Sequence, residues 1–97
     1  MHTYMAEIVL PEMTEEFLAL IPEQRAQVNR LMSAGQVASY GLALDRSKVW
    51  MTVVAPSERE ALDLLATFPI APYVDITLTE LMFMEHPQLN VTHFSLN

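Results

Sequence analysis

The sequence predicts an α+β domain in which helices cover one face of a four-stranded antiparallel sheet. Three observations predict it: stretches that alternate apolar and polar, stretches with apolar residues at helical spacing, and the order in which the two kinds follow one another. Ninety-seven residues make one domain, too short for two independent cores.

Thr3 to Leu10 alternates, with Tyr4, Ala6, Ile8 and Leu10 on one side and Met5, Glu7 and Val9 on the other. It reads as a first strand ended by Pro11. Thr14 is placed to cap a helix, and Glu15 and Glu16 favour its first turn. Phe17, Leu20, Ile21, Gln24, Val28, Leu31 and Met32 make a helical stripe, with Gly35 where a C-terminal cap belongs. Pro22 interrupts that stripe, so either two helices meet there or one is kinked. Gln36 to Leu44 and Lys48 to Ala55 are the next two strands, joined as a hairpin by Asp45-Arg46-Ser47. Ser57 and Glu60 form an S-x-x-E capping box, each side chain expected to satisfy a backbone N–H of the other's residue. Ala61, Leu64, Leu65 and Phe68 give the second helical stripe, which Pro69 and Pro72 stop. Tyr73 to Leu78 resumes with a period of two, as a last strand.

The order strand, helix, strand, strand, helix, strand is the β-α-β-β-α-β ferredoxin-like pattern. Residues 1–84 form the domain. Residues 85–97 are a C-terminal extension, where Leu89, Val91, Phe94 and Leu96 suit a further strand or an arm exchanged between subunits. Along Val49 to Val54 every residue except Thr52 is apolar, so both faces of that strand call for burial. Helices cover one face; a second copy's sheet is expected on the other, making a homodimer or larger homo-oligomer of the α+β barrel type.

Apolar residues make up 52% of the chain and charged residues 18%, and the net charge is -7. That charge speaks against nucleic acid and against anionic membrane surfaces as partners, since binding to phosphates relies on clustered Lys and Arg. The five basic residues stand scattered at 25, 30, 46, 48 and 59. A small anionic ligand stays compatible, because one pocket arginine overrides the global sign locally. With no cysteine there is no thiolate nucleophile, disulfide or cysteine-based metal site. His2, His86 and His93 lack metal-ligand spacing, so no metal is expected. No basic leader or long apolar run opens the sequence, and nothing approaches the ~18 apolar residues of a membrane span, so a cytoplasmic location is the expectation.

The stretch Pro56-Ser57, a helix ending in Phe68-Pro69, and the block Pro72-Tyr73-x-Asp75-Ile76 resembles the C-terminal half of muconolactone delta-isomerases. The spacing from Gly35 to Asp75 also fits that family, and a more distant likeness runs to YciI-like barrels. The resemblance implies a dimeric α+β barrel and a cofactor-independent isomerisation that shifts a double bond in a small lactone or related aromatic-degradation intermediate. Such chemistry needs a positioned acid or base. The family's strand after the glycine carries polar and basic residues, whereas Val37-Ala38-Ser39-Tyr40-Gly41-Leu42 has no charge. That difference leaves two alternatives, another ligand or a lost reaction.

The candidate catalytic carboxylates are Asp75, from the matched block, and Glu7 and Glu80 on the first and last strands. A carboxylate in an apolar pocket has the raised pKa that proton shuttling near neutrality demands. The ordinary alternative is that Asp75 accepts an N–H in the turn after Pro72 and that the two glutamates are solvated. Candidate ligand-binding residues are Gln24, Arg25, Tyr40, Trp50 and Tyr73. Gln24 lies on the buried stripe, either bonding the sheet edge or orienting a ligand; the YciI-like barrels usually place a histidine there. Arg25 either attracts a ligand carboxylate or pairs with Glu15 or Glu16. Trp50 is either core or a ligand platform. The rival function is a non-catalytic protein that binds a small molecule, or only assembles, on the same scaffold. A cofactor-free monooxygenase is a third class that no motif favours.

Overall fold

A computed structural model describes residues 1–85. The extension's Leu89, Val91, Phe94 and Leu96, with His86 and His93, lie outside the described residues. The elements run β1 (His2–Val9), α1 (Glu15–Leu18), α2 (Ile21–Ser33), β2 (Val37–Leu42), β3 (Lys48–Ala55), α3 (Glu58–Leu65), a 3-10 turn (Ala71–Tyr73) and β4 (Asp75–Leu81). The sheet is antiparallel with order β2-β3-β1-β4, the ferredoxin-like arrangement expected from the element order.

Pro22 separates two helices and does not kink one. Thr14 caps α1 by accepting from the Phe17 N–H at 3.1 Å, and Pro22 falls in the first turn of α2. There its missing N–H would have had no helical partner in any case. The C-terminus of α2 closes as a Schellman motif: Gly35 N–H donates to Met32 O and Gln36 N–H to Leu31 O. Gly35 sits at φ 76°, where a side chain would be strained. Ser57 caps α3 by accepting from Glu60 N–H at 3.2 Å. The reciprocal half of the expected box differs, because the Glu60 carboxylate accepts from the Ser57 hydroxyl and not from its backbone. The last strand starts at Asp75 and not Tyr73. Tyr73 N–H donates to Ile70 O at 2.9 Å, which holds the Pro72 segment in a 3-10 turn.

The core lies between the sheet and the helices. Tyr4, Ala6 and Ile8 of β1 and Met51, Val53 and Ala55 of β3 meet Phe17, Val28, Ala61 and Leu65. Strict alternation would put Val37 and Ser39 on one face of β2. A bulge between them reverses the parity, so Val37 is buried opposite Val53 while Ser39 turns outward opposite Thr52. There the two hydroxyls hydrogen-bond at 2.7 Å. The outer face of the sheet is thus more mixed than β3 alone foretells. Trp50 is 41% exposed, yet Thr3, Thr52, Thr77 and Thr79 share its face of the sheet, and Glu7 pairs with Lys48 at 3.4 Å.

The β2–β3 connection is set by Asp45, whose Oδ1 accepts from both the Ser47 hydroxyl at 2.6 Å and the Ser47 N–H at 3.0 Å. Arg46, between them, takes a left-handed φ of 63°. The Ser47 hydroxyl first, and then its backbone N–H, hold the Asp45 carboxyl below its ordinary pKa. A folded-state pKa below the unfolded one contributes stability above the unfolded value, and that stability fades as pH falls through the folded value. Acidification below about pH 4 is therefore expected to weaken the wild-type turn more than that of Asp45→Asn, whose amide does not titrate. Urea unfolding at neutral and acidic pH checks this; equal acid sensitivity of the two proteins would contradict it.

Candidate functional site

Between the helices and the β2–β3 half of the sheet the core does not close. It leaves a cleft of about 510 Å³, within the ~300–1,000 Å³ typical of small-molecule sites. Ile8, Val49 and Met51 form its floor, and Phe17, Ile21 and Val28 its helical wall. Phe68 and Ile70, on the segment leaving α3, close one end. This end exists because Phe68 N–H and Ala71 N–H continue turn-like bonds past α3, to Leu65 O and Phe68 O, and carry the chain back over α2.

Among the described residues, four polar side chains reach this apolar hollow: Gln24, Arg25, Tyr40 and Arg46. Gln24 is buried on α2, as its place in the stripe predicts, but its Oε1 accepts from the backbone N–H of Ile70 at 3.3 Å and not from the sheet edge. Arg25, one residue on, lies exposed beside it and forms no ion pair with Glu15 or Glu16. Tyr40 shares the inward register of β2 with Met51 of β3. Arg46 arrives from the hairpin turn. Neither arginine is in an ion pair among the described residues, so both guanidiniums keep their donors for a ligand.

Among the described residues, no carboxylate lines the cleft. Asp75 opens β4 in an exposed position opposite Val9, on the outer face of the sheet. Glu7 lies on that same outer face, opposite Trp50 and Thr77 and paired with Lys48. Glu80 is on the helix side but at the far end, 2.9 Å from His2 Nδ1. It lies opposite Tyr4, whose hydroxyl is pushed above its ordinary pKa by burial first and then by Glu80 and Glu58. The three candidate acids are therefore not brought together. Trp50 points away from the cleft with the outer face, and Tyr73 supports it from behind, edge-on to Phe17 with ring centroids 6.2 Å apart.

Of the five candidate binding residues, Gln24, Arg25 and Tyr40 meet in one cavity. Arg46 was not legible as a fourth, because a polar three-residue connection gives no sign of which cavity it overhangs. Among the described residues, no three His, Asp or Glu side chains gather as a metal site, and no helix is long and apolar enough to cross a membrane. Set against known proteins, the chain matches no family model and no curated relative.

Proposed function

We propose that this chain binds a small, largely apolar carboxylate in the cleft, with its body against the Phe17–Met51 walls and its charge at Arg25 and Arg46. The carrying observation is the pairing of an apolar, partly empty interior with two guanidiniums that, among the described residues, have no ion-pair partner and no acid beside them in the cleft. Arginine's planar fork suits a carboxylate, and such charge-assisted bonds are about twice as strong as neutral ones. The overall charge of -7 does not oppose this, since two guanidiniums and, among the described residues, no carboxylate line the cleft. Calorimetric titration with octanoate and octan-1-ol tests it. Octanoate is expected to saturate one site per chain and to bind at least about tenfold more tightly than the alcohol. Equal affinity would remove the arginines from the account.

The lactone-isomerase reading stands second, carried by the block of residues 56–76. That block folds as a capped helix, a proline turn and a strand, with Phe68 buried and Asp75 at the strand's start. Its weakness is chemical. Among the described residues the cleft is lined by no carboxylate and no imidazole, the usual general bases. Turnover of a lactone that is abolished by Asp75→Asn would reinstate it.

We also infer that a second copy covers the outer sheet face. Met5, Val9, Trp50, Val54 and Leu81 lie on it together, and a two-fold pairing would bury them without exposing a sheet face to water. Sedimentation at micromolar concentration is expected to give a dimer. A stable monomer, or a dimer untouched by Trp50→Glu, would contradict this.

A further inference from the structure

Of the four polar side chains in the cleft, Gln24 alone is nearly enclosed, at 8% exposure. Its two ends have different tasks. The Ile70 backbone N–H, 3.3 Å from Oε1, can only donate, so chemistry fixes the oxygen on that side. The nitrogen is thereby turned the other way. None of the hydrogen bonds among the described residues uses Nε2, and no wholly enclosed side-chain nitrogen or oxygen lacks a partner among them. Nε2 is therefore not wholly enclosed, and Gln24 is among the residues that line the cleft.

We propose that Gln24 is a specificity-determining residue that presents a donor, and no acceptor, to the apolar interior. It selects carboxylates whose apolar body carries a carbonyl or ether-type oxygen over those with methylenes throughout. This rests on the binding reading above. A purely hydrocarbon body filling the cleft strips water from Nε2 and returns nothing, whereas an oxygen at that depth restores the lost bond. The ligand's own carboxylate does not take this place. Two exposed guanidiniums hold it at lower desolvation cost than one buried amide. Rotation of the Gln24 amide to offer its oxygen instead would orphan the buried Ile70 N–H, so the polarity is locked.

The test compares octanoate with a set of oxooctanoates bearing the carbonyl at successive mid-chain carbons, on the wild type, Gln24→Leu and Gln24→Glu. At least one oxo analogue is expected to bind the wild type about tenfold more tightly than octanoate. Gln24→Leu is expected to erase that ratio. Gln24→Glu, measured at pH 9 so that the carboxyl is ionised, still accepts from Ile70 but turns an acceptor oxygen toward the ligand, so it is expected to erase the ratio too. If Gln24→Leu does not fold, Gln24→Glu decides, because repulsion of the ligand carboxylate is common to both probes and cancels in the ratio. Octanoate binding with no oxo preference, or a preference that survives substitution, would overturn the role of Gln24 and leave the binding reading intact. Failure of every probe to bind would overturn both.

Discussion

Replacing Phe68 with alanine is expected to lower the folding free energy by about 3–5 kcal/mol, the range for emptying a buried aromatic site. A domain of this size holds roughly 5–15 kcal/mol in total, so the variant should sit near the edge of unfolding at room temperature. The size of the effect follows from position. Phe68 is buried beyond the end of α3, packs into the main core, and also closes one end of the cleft. Its removal therefore joins an internal void to a cavity already open, and the neighbours cannot collapse into it without moving the turn that carries Ile70. Phe68→Leu keeps most of the volume and should cost less than about 2 kcal/mol. Urea midpoints of the two variants give the comparison. A loss below about 1 kcal/mol for Phe68→Ala would mean that this end of the core is not packed as described.

The second large effect is on binding. The double substitution Arg25→Gln, Arg46→Gln is expected to weaken octanoate binding by about 2–3 kcal/mol, or roughly 30-fold to 150-fold. It should leave the urea midpoint within about 0.5 kcal/mol of the wild type, because both side chains are exposed and unpaired. Raising the salt concentration should narrow the difference between wild type and variant, since exposed charges are screened. Octan-1-ol should bind both proteins alike. A parallel loss for the alcohol would show that the arginine stems pack the cleft and that their charge is incidental.

The element order and most of the core were legible because they are local matters. Capping residues at Thr14, Ser57 and Gly35 mark helix ends by chemistry within three or four positions, and alternation in β1 and β3 assigns faces by parity. What parity could not supply was the bulge at Ala38, which turns Val37 inward and Ser39 outward. The site was legible where it rides on a helix. Gln24 follows from the stripe of α2, and Arg25 follows Gln24. Its loop-borne part was hidden, since Arg46 is placed by the Asp45 turn and by how the hairpin leans over the cleft, a long-range matter. Asp75 follows from the resemblance in residues 56–76, and Glu7 and Glu80 from their places on the first and last strands. Their strand registers then put Glu7 and Asp75 on the outer face and Glu80 at the far end, away from the apolar hollow.

The most direct test of the claim that the cleft is the working site is to locate octanoate on the ¹⁵N-labelled protein by NMR titration. The Gln24 side-chain amide and the backbone amides of Ile70, Val49 and Met51 are expected to shift together and saturate, with the Trp50 indole unmoved. Saturable shifts confined to the Trp50 indole and the outer face of β1 and β4 would contradict it.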